Sequence, residues 1–165
     1  MKDHFESFAL YNQWANGRLL EAAAGLTAEQ LAENRGAFFG SVIGTLNHIL
    51  VADRAWLWRL TGSGETPIAL DEILYADFRV FRRALEVEDA RLIETVAGLS
   101  EEILPRPLRY RNMLGDEFEQ PRTVLLTHLF NHQTHHRGQV HTLLTQFGVS
   151  VPALDLVYFI RERRG

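Results

Sequence analysis

Apolar residues recur at helical spacing through most of this chain. Phe5, Phe8, Leu10, Tyr11, Trp14, Leu19 and Leu20 fall mostly on one stripe, which predicts a helix from about Asp3 to Ala24. Gly25 stops it, and Thr27 and Gln30 stand at capping-box spacing for a short turn. A largely apolar stretch predicts a second long helix from Ser41 to Leu60, closed by Thr61-Gly62-Ser63-Gly64. A linker through Pro67 leads to Asp71, read as an N-cap, and to a third helix over Glu72–Leu99. Between Pro105 and Pro121 the helical period fails, and two short strands around a turn are expected. Pro121 suits the first position of a fourth helix over Arg122–Phe147, and Ala153–Arg163 reads as a short closing helix. No repeat or linker divides the chain, so residues 1–165 read as a single domain. The expected fold is all-α: a four-helix bundle with a hairpin-like excursion before the last long helix and a short C-terminal helix.

The fourth helix carries unusual chemistry. Five of the seven histidines lie between His128 and His141. His132 and His136 are four residues apart, so both rings leave one face of the helix and can reach one ion. Zinc-protease helices use the same spacing with a glutamate between the pair as general base. Here the residue after the first histidine is Gln133, which cannot accept a proton at neutral pH. The spacing points to a metal and away from the protease mechanism; the plainer reading is a pair of hydrogen-bonded core histidines. A catalytic site needs about three protein ligands and an open position. His48, on the apolar second helix, is the better third ligand, because a buried ring needs a partner. His4 sits near a terminus. His128, His132 and His136 together span ~12 Å of helix, too far for one ion. His128 is therefore assigned to packing or to a supporting role, His135 points elsewhere, and His141 faces the surface or a partner. Di-iron bundles need glutamate three residues before histidine, and those positions hold Thr45, Leu125, Leu129 and Gln133. A single ion is favoured.

Other polar residues are weaker candidates. Asp53 and Arg137 are read as acid/base or ligand-supporting groups, with an interhelical ion pair as the simpler alternative. Gln139, three residues after His136, can hold a water or substrate. Gly138 is ascribed to close packing, Trp14, Trp56 and Trp58 to core or pocket wall, and Asn12 and Asn16 to capping or bridging between helices.

Composition narrows the function further. The chain has no cysteine, which excludes disulfides and any protein thiol from the chemistry. A net charge of −4 weighs against nucleic acid, and the one basic run, Arg161-Glu162-Arg163-Arg164, suits a helix C-terminus. No apolar run reaches the ~20 residues that span a bilayer. The first residues lack the plan of a signal peptide, and a cytoplasmic location is expected.

Three segments carry a resemblance over nearly the whole chain. They are Tyr11-Asn-Gln-Trp14-Ala-Asn16-Gly-Arg-Leu-Leu20, Leu46-Asn-His48-Ile-Leu-Val-Ala52-Asp53-Arg-Ala-Trp56 and His128-Leu-Phe-Asn131-His132-Gln-Thr-His-His136-Arg137-Gly138-Gln139-Val140. With them the chain resembles the DinB family, the DinB/YfiT-like metalloenzymes. The resemblance implies a four-helix bundle, a homodimer, and one divalent metal ion, zinc or nickel foremost with iron, manganese or cobalt as alternatives. It implies His48, His132 and His136 as ligands. It also implies chemistry on a small-molecule substrate, in several relatives with a low-molecular-weight thiol, as in S-transferases and an isomerase. A non-catalytic, metal-stabilised bundle and a metal-dependent hydrolase remain as the other readings.

Overall fold

The computed structural model describes residues 1–163; Arg164, the end of the basic run, lies outside them. Four long helices dominate: α1 (Lys2–Ala23), α3 (Val42–Thr61), α4 (Phe78–Gly98) and α5 (Arg122–Gln146). Short α2 (Ala28–Ala32) and α6 (Leu156–Glu162) rest on α3 and α1. Between α4 and α5, β1 (Pro107–Arg111) and β2 (Glu117–Pro121) pair antiparallel, Pro107 opposite Pro121 and Arg111 opposite Glu117. The expected excursion is therefore a true two-stranded sheet, and the protein is mostly helical rather than purely all-α. Among the long helices, α1 packs on α4 and α5, and α3 packs on the same two.

Capping sets the ends as local chemistry dictates. Ser41 accepts from Gly44 N–H to start α3, and Gly62, at φ 71°, ends it in the left-handed region. Thr27 and Gln30 form the expected capping box. The third predicted helix begins later than its pattern suggests, at Phe78 rather than Glu72, and Asp77 rather than Asp71 caps it. Asn47 of α3 is the cause. Its amide accepts from Tyr75 N–H at 2.9 Å and donates to Tyr75 C=O at 3.0 Å, so residues before Asp77 pay out to α3 instead of coiling. Pro121 ends β2 and precedes α5 instead of opening it. The closing helix is also shorter than expected, starting at Leu156.

Every residue from Val42 to Ala55 is buried, so α3 is the central helix of the core. Two large apolar clusters fill most of the interior, and a smaller one of Tyr11, Ala15 and Phe159 lies between α1 and α6. Leu20, Leu46, Ile49, Phe81 and Leu143 belong to one large cluster, and Phe5, Leu57, Leu92, Leu126 and Phe130 to the other. On all four long helices the residues between the two large clusters are polar and buried: Asn12 and Asn16, Asp53, Glu88 and Asp89, Gln133 and Arg137. A polar layer thus crosses the core, and His132 and His136 leave α5 at its level. Among the described residues no helix is long and apolar enough to cross a membrane.

Candidate metal centre

α3 and α5 pack side by side and bring His48, His132 and His136 together, with one nitrogen from each ring within 4.8 Å of the others. The ring centroids of His48 lie 5.0 Å from His132 and 4.4 Å from His136. Those of His132 and His136 are 4.3 Å apart, as one helical turn requires.

Two of the rings are oriented by carbonyl oxygens. His48 Nδ1 donates to Leu70 C=O at 2.7 Å, and His136 Nδ1 donates to Gln139 Oε1 at 2.8 Å. A carbonyl can only accept, so in both rings the proton sits on Nδ1 and Nε2 presents a lone pair. His48 Nε2 is 3.1 Å from His132 Nε2. Two nitrogens held ~2.1 Å from one tetrahedral ion lie about 3.4 Å apart, close to that separation. The Nδ1 of His132 is buried without a hydrogen-bond partner. This donor set, all imidazole, suits a borderline divalent cation.

Electrostatics favours the neutral, ligating form of each ring. Burial lowers the pKa of His48, against a smaller raising effect from the Leu70 hydrogen bond. Burial also brings His132 down to about 3, with His136 and His48 adding to it, and His136 down to about 4. Only neutral imidazole coordinates, so the site needs no deprotonation at pH 7.

Phe39 forms the outer wall. Its ring stacks on His48 at 3.8 Å and 17°, and meets His136 edge-on at 5.6 Å. Gly44 makes this approach possible, since a Cβ there would lie 2.2 Å from Phe39 C=O. Sequence reasoning passed over Phe39 and the Leu70 carbonyl. A paired Phe38-Phe39 between Gly36 and Gly40 was the available sign of an aromatic turn.

Gln139, a candidate from the sequence, touches the His136 ring directly. Asp53 and Arg137 lie in the polar layer, buried to 1% and 2% exposure. They do not form the interhelical ion pair considered for them. Asp53 accepts a hydrogen bond from Gln133 Nε2, and Arg137 donates to Asn12 and, at 3.3 Å, to Asn16. The amides of Asn12 and Asn16 in turn donate to one oxygen of Asp89, at 3.0 and 2.9 Å, bridging α1 to α4 and α5. Thus the residues after His132 and His136, Gln133 and Arg137, are each locked to another helix. Burial pushes Asp53 well above the usual carboxylate range, with Asp89 adding to the shift, and pushes Asp89 up to about 7.

The remaining histidines stand apart. His128 packs on Trp56 at 5.1 Å, and His135 is turned 87° from His136 and faces Gln139. His4 packs on Phe8, and His141 is half-buried. Trp14 donates to Glu162 of α6, while Trp58 is 43% exposed and lines a cavity with the β1–β2 hairpin. Gly138 is not closely packed: a Cβ there would meet nothing within 4 Å.

A sequence model of the DinB family matches residues 1–164. The chain belongs to the DinB family. It is 28% identical over 150 residues to Protein DinB of Bacillus subtilis (strain 168), covering 88% of this chain and 87% of that protein. Its fold is similar to the crystal structure of a DinB-like protein from Bacillus cereus ATCC 10987. That likeness has a TM-score of 0.66 and 22% identity, and covers 87% of this chain and 91% of the other. As a family member with a three-histidine cluster, the chain has a site that fits a metal ion.

Proposed function

We propose that this is a metal-dependent enzyme acting on a small molecule, built as a single-domain four-helix bundle around one divalent ion held by His48, His132 and His136. The observation that carries the reading is the meeting of three rings with one nitrogen of each within 4.8 Å of the others, two of them with Nδ1 on a carbonyl oxygen and His48 Nε2 3.1 Å from His132 Nε2. Among the described residues no fourth histidine or carboxylate joins the cluster, which supports a coordination position left for substrate over a structural site. Zinc or nickel suits the ligands best, with iron, manganese and cobalt also compatible with imidazole. When bound, such an ion favours the deprotonated form of a thiol or water beside it.

The chain's own residues do the rest. Leu70 C=O and Gln139 hold the ligand rings in one tautomer, and Phe39 screens the rings from solvent on one side. A chain without cysteine must take any sulfur from a cosubstrate, so we favour a transferase or isomerase that uses a low-molecular-weight thiol. Hydrolysis is less favoured, because Gln133 stands where a zinc protease has its base and is spent on Asp53. We further read the protein as a cytoplasmic homodimer without nucleic-acid or membrane partners.

Cobalt-loaded protein tests the thiol step. Adding a small thiol should produce a near-ultraviolet thiolate-to-cobalt band that is lost in His48→Ala. A thiol that leaves the cobalt spectrum unchanged would exclude thiol activation at this centre.

A further inference from the structure

The wall of the metal centre continues outward into a cavity of about 480 Å³ lined by Phe38, Phe39, Gly44, Asp71 and Ile73. Phe39 is shared, with its ring stacked on His48. Phe38 meets Phe39 edge-on at 4.9 Å and is 85% exposed, and Ile73 is 50% exposed. The turn carrying both phenylalanines is braced. Arg35 N–H donates to Gly40 C=O and Gly40 N–H to Ala37 C=O, each at 2.8 Å, and Gly36 and Gly40 take positive φ. A stiff turn therefore holds a large aromatic ring out in water beside the ligand histidines, forgoing its burial.

The opposite wall is also anchored to the centre. Leu70 accepts the Nδ1 proton of His48, and Asp71 follows it directly. Asp71 is exposed and is the one charged residue lining this cavity. Among the described residues its carboxylate enters no ion pair. One carboxylate among apolar walls is a poor host for a hydrated metal ion, which wants several oxygens. It suits an organic cation, whose charge pairs with the carboxylate while its body covers the aromatic rings. The volume falls within the ~300–1,000 Å³ of small-molecule sites.

We propose that this cavity is a substrate subsite for a small molecule bearing an ammonium group on a short apolar or aromatic body. The ammonium pairs with Asp71, and the body lies against Phe38, Phe39 and Ile73, next to the reacting position. Its role as a substrate subsite rests on the three-histidine centre being the reaction centre; the binding itself does not.

Benzylammonium is the probe, with benzyl alcohol as its neutral counterpart and benzoate as the opposite charge. Each is titrated calorimetrically into wild type, Asp71→Asn and Phe38→Ala, with and without zinc, and the metal content of every sample is measured. Both substituted side chains are exposed, so the variants should fold. Wild type should bind benzylammonium ~10-fold more tightly than either counterpart, a difference that Asp71→Asn abolishes. Phe38→Ala should weaken benzylammonium and benzyl alcohol alike. Equal binding of benzylammonium and benzyl alcohol, or an unchanged preference in Asp71→Asn, would overturn the proposal. So would a Phe38→Ala variant that binds the probe like wild type but loses a dimer on sedimentation, since the face would then be an interface between copies. Asp71-dependent binding in a protein that takes no metal would leave the subsite standing and remove the reaction centre. Metal binding without Asp71-dependent recognition would do the reverse.

Discussion

At the scale of the residue, one hydrogen bond sets His136. Gln139 Oε1 accepts its Nδ1 proton at 2.8 Å and so leaves the lone pair on Nε2. Removing such a partner typically costs 10–100-fold in metal affinity, so Gln139→Ala should weaken zinc binding by about that factor in a chelator competition. Unchanged affinity would take Gln139 out of the site. The lowered histidines also fix a pH dependence. In the unfolded chain His132 and His136 take up protons near 6.5, whereas in the fold they resist until about 3 and 4. Stability of metal-free protein therefore drains away as pH falls from 6.5 toward 4. Asp89 has the opposite sign. Its pKa rises from 3.8 to about 7, so its contribution is present in acid and lost as pH rises through 7. Urea denaturation between pH 4 and 7 should show a shallower acid loss in His132→Gln and a steeper one in Asp89→Asn. The histidine spacing was legible in the sequence because ligand geometry on a helix is local. The Leu70 carbonyl was not, because nothing in its own sequence tells a backbone oxygen which ring it will meet.

At the scale of the element, two glycines within long helices look alike in sequence and behave oppositely in the fold. Gly138 on α5 has open space where a Cβ would sit, and Gly44 on α3 has the Phe39 carbonyl there at 2.2 Å. Gly138→Ala should raise stability by up to about 1 kcal/mol, the usual helix preference for alanine. Gly44→Ala should lower it by about 1–3 kcal/mol, as overpacking does, and should loosen Phe39 from His48. Thermal denaturation of the two variants checks both signs. Helices α1, α3 and α5 were readable within a residue or two from apolar period and caps. The start of α4 was not, because Asn47 captures Tyr75 across 28 residues, and tertiary contacts of that kind override local propensity. The hairpin was readable because the period failed between two prolines.

At the scale of the molecule, the polar layer between the two large apolar clusters ties the helices in register. Arg137 donates to Asn12 and Asn16, which hold Asp89, while Gln133 reaches Asp53. Both α5 members of this layer directly follow a histidine of the cluster, Gln133 after His132 and Arg137 after His136, so the layer sets the rotation of α5 and hence where those two rings point. Arg137→Met leaves the Oδ1 atoms of Asn12 and Asn16 without their buried donor, and should cost about 1–3 kcal/mol in urea denaturation. A near-neutral result would show that the layer is dispensable. Asn12 and Asn16 were readable as bridging residues, but their partners were not, since the sequence suggested a direct Asp53–Arg137 pair where the fold interposes amides. The most direct measurement is elemental analysis of wild type beside His48→Ala and His132→Ala/His136→Ala, each checked for helix content. About one divalent ion per chain in wild type, lost in both variants while the helix signal persists, is the expected result. Wild type that takes up neither zinc nor nickel would contradict the metal centre and leave the three rings as buried, hydrogen-bonded histidines of the core.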